Sequence, residues 1–324
     1  MRRRSAAALT ALATLTAALA TGCGSDDDKP DPMRSQQWAL DALKLPDAWG
    51  TAKGDDTVIA VVDTGVDPDH PDLKGRLVDG YDFVDGDDEP KDLNGHGTHV
   101  SGIAAAHTEN GVGIAGGAPG AKIMPVRVLG ADGSGSDANI TKGIVWAAQH
   151  GADVINLSLG ESGLMARLLK GGVLNEAISV ANGKGAVVVA AAGNDSTVLQ
   201  PYEVDTPVLV VNAADQNGQP ASFTNFGAQN AVAAPGVDIL STLPTYTAKE
   251  TLKNTTGYGK LSGTSMASPY VSAVAALLHQ QGLNPTQIMQ TIRDTASNPT
   301  NNLKLGLGNV NATAAAKSAA ATKN

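Results

Sequence analysis

The amino-acid sequence predicts an α/β fold: a three-layer, doubly wound, mostly parallel sheet with helices on both faces, in a single domain. Two observations lead to this fold class. From residue 57 onward, short apolar runs alternate with longer stretches of helical character, and alternating β and α units form a parallel sheet that is covered on both sides. In addition, no internal repeat and no linker divides the chain.

The apolar runs are the predicted strands. Each run is almost continuously hydrophobic, as expected for strands of a parallel sheet that is buried on both faces. The runs cover residues 57–63 (TVIAVVD), 153–159 (DVINLSL), 186–192 (AVVVAAA) and 208–213 (VLVVNA).

Helices are predicted between and after these strands. Those between the strands lie near residues 97–107, 137–150 and 170–183. After about residue 236 the sequence indicates a loop and hairpin region, followed by helices near 265–281 and 285–296. The last of these has Asn284 as its N-cap and Pro285 at its first helical position, where each residue type is favoured.

Composition and charge exclude some functions. The 324 residues, 42% of them hydrophobic, suit one large domain with a substantial core. Without the first 22 residues, which include three of the 23 basic ones, 20 basic residues face 32 acidic ones and the formal charge falls from -9 to -12. Such a chain lacks the positive surface that binds nucleic acid and is compatible with bound cations. Its single cysteine, Cys23, excludes an intrachain disulfide.

The first 22 residues have the basic start and apolar centre of a signal peptide, and two cleavage sites compete. An A-x-A site ending at Ala20 would release a soluble protein. The segment LATGC (19–23) instead resembles a bacterial lipobox, in which Cys23 is lipidated and becomes the new N-terminus. The position of the only cysteine favours this second site. The protein would then be exported and anchored by lipid at the outer membrane or cell surface, with residues 24–35 as a flexible tether.

Three side chains that could take part in catalysis lie where predicted strands end and helices begin, as functional groups do in such sheets. Asp63 ends the first buried strand, His96 lies in NGHGTH (94–99), and Ser265 precedes an apolar helix. Each has an ordinary alternative: a turn carboxylate, a metal-binding pair with His99, and a helix N-cap. Together, however, they supply what a serine nucleophile requires, namely a base and a carboxylate that orients the base. Asn194, after another buried strand, could donate to a developing oxyanion.

Four motifs around these residues resemble the subtilisin-like serine proteases, the subtilase family, and in particular its thermitase-like members. The resemblance runs from about Gln37 to Asn311, over nearly the whole chain without its leader. The motifs are VIAVVDTGVDPDHPDL (58–73), NGHGTHVSGIAA (94–105), INLSLG (155–160) and SGTSMASP (262–269). The resemblance implies a subtilisin-like domain over residues 36–312. The composition of the remaining residues, 313–324, is of low complexity and predicts a tail that frays.

The resemblance also implies an activity, that of a secreted, monomeric serine endopeptidase acting on polypeptides through an acyl-enzyme. Ser265 would be the nucleophile, His96 the general base and then acid, and Asp63 the group that orients the imidazole. The Asn194 side chain and the Ser265 N–H would form the oxyanion hole. Substrate backbone would pair with two segments, Gly133, Ser134 and Gly135, and Ser158, Leu159 and Gly160. Two alternatives remain: a catalytically inactive surface protein with this fold, and an esterase.

Two calcium sites are further expectations. Asp82, Asp85 and Asp87 lie in an acidic loop, which is either solvated or bridged by a hard cation. The resemblance places calcium at this loop. It places a second calcium ion at Asp72, Asn110 and Asp31, with backbone carbonyls from residues 107–114.

Overall fold

A computed structural model describes residues 29–159, 172–199, 202–248 and 256–321 of the chain. Seven parallel strands form the central sheet in the order β2-β3-β1-β4-β5-β6-β7. They are β1 (Val58–Asp63), β2 (Tyr81–Asp82), β3 (Lys122–Arg127), β4 (Val154–Leu157), β5 (Val187–Ala191), β6 (Val208–Ala214) and β7 (Val232–Pro235). A separate antiparallel pair joins β8 (Ile239–Thr242) to β9 (Tyr258–Leu261).

Helices cover both faces of this sheet. In chain order the described helices are α1 (Trp38–Ala42), α2 (Leu45–Ala48), α3 (His96–Ala105), α4 (Asp137–Gln149), α5 (Val173–Gly183), α6 (Thr264–Gln280), α7 (Pro285–Asp294) and α8 (Ala312–Ala321). Among these residues, no helix has both the length and the apolar character needed to span a membrane.

The strand β1 shows how the layers are built. Its Ile59 and Val61 pack into a core with α3, α6, α7 and α8, whereas Ala60 and Val62 pack into a second core with α4 and α5. Successive strand residues point to opposite faces, so a continuous apolar run supplies both cores at once. This arrangement confirms the predicted three-layer α/β fold.

The order of the strands determines where a site can form. The strand β1 is flanked by β3 on one side and by β4 on the other, so the chain connections diverge at its carboxyl end. In open α/β sheets this switch point opens a crevice for ligands. Asp63 is the last residue of β1 and therefore lies at that crevice.

Strand β3 was not predicted from the sequence, and its apolar run is interrupted by Pro125. Ile123 and Arg127 accept backbone hydrogen bonds of 2.9 and 2.8 Å on the β2 side of the strand. Pro125 is the alternate residue between them, so its backbone faces the same β2 side, where Gly80 packs against it. Its missing N–H therefore interrupts only the short edge ladder, which a sheet tolerates.

The predictions of a flexible tether and of a fraying tail are both wrong for the residues that the structure describes. Residues 313–321, expected to fray, belong to α8, whose Ala315, Ala316 and Ala319 are buried against the core. Alanine combines high helix propensity with a side chain small enough for close helix packing. Residues 29–35, expected to be a tether, are also held to the domain: Asp31 is 6% exposed and the Lys29 N–H donates to the Glu109 carbonyl at 2.8 Å. The signal peptide and Cys23 lie outside the described residues.

Candidate active site

Asp63 and His96 are in direct contact at the carboxyl end of β1. The His96 Nδ1 lies 2.7 Å from Asp63 Oδ1, and the Thr64 N–H donates to the same oxygen at 2.7 Å. The Asp63 side chain is 0% exposed, while 25% of the His96 side chain reaches solvent. Since an ionised carboxylate only accepts hydrogen bonds, this contact places the proton of a neutral imidazole on Nδ1 and leaves Nε2 as a base.

Ser265 lies in the first turn of α6, which packs against α3. Its Oγ is 3.2 Å from the carbonyl oxygen of Ser158, and its own carbonyl accepts from the Ser158 hydroxyl at 2.9 Å. Ser158 follows β4, the neighbour of β1. The predicted nucleophile is thus fixed to the strand end beside Asp63.

A buried polar network, which the sequence analysis missed, holds the start of α6 in place. Asn156 on β4 donates through Nδ2 to the Ser158 hydroxyl at 2.8 Å. Its Oδ1 accepts from Ser268 at 2.8 Å and from Ser272 at 2.9 Å. Ser268 lies three residues after Ser265, and Ser272 four residues after Ser268; this helical spacing is the signal that could have shown a shared polar face.

The Asn194 side chain follows β5 and is oriented by the residue before Ser265. Its Oδ1 accepts from the Thr264 N–H at 2.9 Å and from the Thr264 hydroxyl at 3.0 Å. That hydroxyl in turn accepts from the Gly193 N–H at 3.0 Å. With the amide oxygen bound in this way, the NH₂ group faces Gly263, where an added Cβ would lie 3.6 Å from Nδ2. The amide thus presents a donor beside the start of α6.

The two predicted substrate-binding segments each attach to one part of this site. The loop containing Gly133, Ser134 and Gly135 is tied to the turn before His96 by Asn94, whose Nδ2 donates to the Ala131 carbonyl at 2.9 Å. Gly133 has a φ of +82°, which favours glycine. Ser158 and Leu159 follow β4 next to Ser265, and both are buried. Gly160 lies outside the described residues.

Comparison with known proteins identifies the family. The family model described as "Subtilase family" matches residues 54–311. The chain belongs to the subtilase family. It is 49% identical over 254 residues to a "Thermophilic serine proteinase" of Bacillus sp. (strain AK1), and the aligned region covers 77% of this chain and 59% of that protein. It is 45% identical over 263 residues to "Thermitase" of Thermoactinomyces vulgaris, covering 81% and 88%.

Solved structures agree with this assignment. A protease from Pseudoalteromonas arctica PAMC 21717 matches with a TM-score of 0.79 and 34% identity, over 90% of this chain and 99% of that one. A cold adapted subtilisin-like serine proteinase matches with a TM-score of 0.66 and 33% identity, over 80% and 88%. This subtilase is accordingly a serine endopeptidase, and its substrates are polypeptides.

In the acidic loop of this subtilase, two of the three predicted calcium ligands contact an arginine. Arg127 Nη1 lies 2.5 Å from a carboxylate oxygen of both Asp82 and Asp85. Asp87 accepts instead from the Glu89 N–H at 3.0 Å, and no three His, Cys, Asp or Glu side chains in the described ranges converge to hold a metal ion. The buried guanidinium thus occupies one oxygen of each of two predicted ligands and offsets one of their two negative charges. The contact of Arg127 with the two aspartates could not be predicted from the sequence, because β3, which ends at Arg127, was not predicted.

The charge balance at this loop is seen in Arg127 itself. Burial lowers the pKa of Arg127, but Asp85 and Asp82 more than offset this effect, so that the pKa is raised above its usual value. Arg127 therefore stays charged and acts as an internal cation.

The second predicted set, Asp31, Asp72 and Asn110, does come together. The Asn110 N–H donates to Asp31 at 3.1 Å, and its side-chain amide donates to Asp72 at 3.1 Å. Burial raises the pKa of Asp31 and of Asp72, and hydrogen bonds from neighbouring N–H groups partly oppose this rise. The Asn110 side-chain oxygen accepts from the Val112 N–H at 2.9 Å, and it is the Asn110 NH₂ group that faces Asp72. Two buried carboxylates are nevertheless the ligand type that suits a hard cation.

Proposed function

We propose that this subtilase cleaves peptide bonds through an acyl-enzyme formed on Ser265. The observation that carries this proposal is the 2.7 Å contact between His96 Nδ1 and the buried Asp63. It leaves Nε2 of His96 able to take the proton as Ser265 Oγ forms a bond to the substrate carbonyl carbon. The imidazolium then gives this proton to the leaving amine, and water releases the acyl group by the same route in reverse.

The negative charge of the tetrahedral intermediate requires its own donors. Asn194 Nδ2 is turned away from Thr264, which binds the amide oxygen, and the Ser265 N–H lies in the first turn of α6. We assign these two groups to the oxyanion hole. Donors fixed before the reaction stabilise the developing charge without a cost of reorganisation.

Substrate binding is assigned to the two segments that attach to the His96 turn and to Ser265. Extended peptide would add as a strand to residues 133–135 on one side and to residues 158–160 on the other. Such pairing uses backbone groups and therefore tolerates many substrate sequences. Side-chain pockets would then supply any selectivity.

Labelling with a fluorophosphonate, followed by mass spectrometry of the adduct, tests the nucleophile. We expect an adduct on Ser265 in the native protein and none in Ser265→Ala, with turnover reduced about a millionfold, a loss measured within this family. Ser262→Ala is the matched control, since Ser262 is an exposed serine three residues earlier, and it should label normally. Folded native protein that gives no adduct on Ser265 would contradict the assignment of Ser265 as the nucleophile.

We further propose that the protein is exported and anchored by lipid on Cys23. The proposal is supported by the sequence of residues 1–23, with its basic start, apolar centre and single cysteine. Native protein expressed in bacteria should sediment with membranes and carry an acylated N-terminal cysteine, whereas Cys23→Ser should be soluble. A native protein whose N-terminus is Thr21 would instead show cleavage after Ala20.

Finally, we propose that calcium binds at Asp31, Asp72 and Asn110, with carbonyl oxygens from residues 107–114. The close approach of these side chains supports this site. A bound cation would offset the charge of two buried carboxylates and so stabilise the fold. It has no assigned part in the chemical step.

A further inference from the structure

Asp92 is a buried carboxylate near the proposed triad, and its exposed fraction is 0%. Its Oδ1 accepts from the Thr64 hydroxyl at 2.9 Å and from the N–H groups of Asn94 and Gly95 at 2.9 and 2.7 Å. Its Oδ2 accepts from the N–H and the hydroxyl of Thr98, at 2.9 and 2.6 Å. Burial raises the pKa of Asp92, and these donors oppose the rise. All five contacts come from donors, which is the environment of an ionised carboxylate.

One of these contacts, that of the Thr64 hydroxyl, connects Asp92 to the triad. Thr64, whose hydroxyl binds Asp92, donates its N–H to Asp63 Oδ1 at 2.7 Å, the same atom that contacts His96. The Thr64 hydroxyl also accepts from the Gly97 N–H at 2.9 Å, and Gly97 follows His96 in α3. Asp92 therefore links the turn that carries Asp63 to the first turn of the helix that carries His96.

The packing at this link leaves little freedom. A Cβ on Gly97 would overlap the carbonyl oxygen of Gly65, so the helix start lies directly against the turn. The Asp92 backbone is also held, because the Tyr246 hydroxyl donates to its carbonyl oxygen at 2.7 Å. Hydrogen bonds to a buried charge are stronger than those between neutral groups, so the carboxylate is suited to hold these elements in register.

We propose that Asp92 is a positioning residue for the general base, which keeps the His96 imidazole on Asp63 by joining the Thr64 turn to the start of α3. This inference rests on the proposed roles of His96 and Asp63. Asp92 touches neither substrate nor the reacting atoms. Its loss should lower kcat through misplacement of the imidazole and should leave substrate binding intact.

The variant Asp92→Asn tests this role in the full chain. It keeps the shape of the side chain and removes its charge and one acceptor. We expect kcat for a peptide substrate to fall about 10- to 100-fold, the scale of a small misplacement of a catalytic group, with KM within about 2-fold of the native value. Thr98→Val should lower kcat by a smaller factor than Asp92→Asn does. Thr98→Ser, which keeps the hydroxyl, should have nearly the native kcat.

Asp67→Asn is the matched control for a merely structural effect. Asp67 is also buried, at 1% exposure, and its carboxylate accepts from the Asp69 N–H and from Thr245. The control should lower the melting temperature and leave kcat unchanged. An equal loss of kcat in both variants, or native kcat in Asp92→Asn, would overturn the proposal.

A readout that needs no turnover separates this inference from the proposed function. The proton on His96 Nδ1 can be followed by NMR, and its exchange with solvent reports on the contact with Asp63. Exchange should be faster in Asp92→Asn and native-like in Asp67→Asn. If Ser265 failed to label but this difference appeared, the positioning role would stand without the proposed activity. Unchanged exchange in Asp92→Asn would contradict the positioning role, whatever the activity.

Discussion

Asn194 shows at the scale of one residue how a side chain can be prepared for a transition state. Thr264 binds its amide oxygen twice, so the amide group is oriented before substrate arrives. We expect Asn194→Ala to lower kcat about 100- to 1000-fold, a range carried over from measurements within this family. KM should change little, because the donor interacts with charge that develops only in the transition state.

Steady-state kinetics on a peptide substrate would measure this effect, with melting curves to show that the variant folds. Thr264→Ser, which keeps both hydrogen bonds to Asn194, is the control and should retain nearly native kcat. A rise in KM at constant kcat would indicate that Asn194 binds ground-state substrate and is not an oxyanion donor.

At the scale of secondary-structure elements, the strands and helices that could be predicted are those whose local hydrophobic pattern agrees with their burial in the fold. The strands β1, β4, β5 and β6 are continuous apolar runs and are buried on both faces, so pattern and packing coincide. Strand β3 contains Pro125, which local rules exclude from central strands. Helix α8 resembles a low-complexity tail, because its alanines acquire a role only when α6 and α7 pack against them.

The same distinction applies to the site. Asp63, His96, Asn194 and Ser265 each lie in a short motif at the end or start of an element, so their presence could be read locally. Asn156 and Asp92 could not be found in this way. Asn156 contacts Ser268 across 112 positions of the chain, and Asp92 contacts Thr64 across 28. Their roles arise from tertiary contacts that no local pattern contains.

At the scale of the whole molecule, the N-terminal segment is held to the domain by noncovalent contacts. The chain has one cysteine, so no intrachain disulfide can fix this segment. Asp31 instead accepts from the N–H groups of Glu109 and Asn110, at 2.9 and 3.1 Å. Asn110 also contacts Asp72, which joins the segment to the region after β1. A cation at this junction would connect three distant parts of the chain.

Calcium should therefore raise the melting temperature of the whole domain. At a free concentration 100 times its Kd, a ligand that binds only the folded state adds about 2.7 kcal/mol, which corresponds to roughly 4–5 °C for a domain of this size. Calorimetry on the Ser265→Ala variant, which cannot digest itself, would compare calcium with excess chelator. Asp31→Asn should abolish the shift, whereas Asp87→Asn should retain it, since Asp87 lies in the acidic loop, outside the proposed site, and accepts from the Glu89 N–H. An unchanged melting temperature after chelation would refute the proposed site, and an equal response of both variants would place the ion elsewhere.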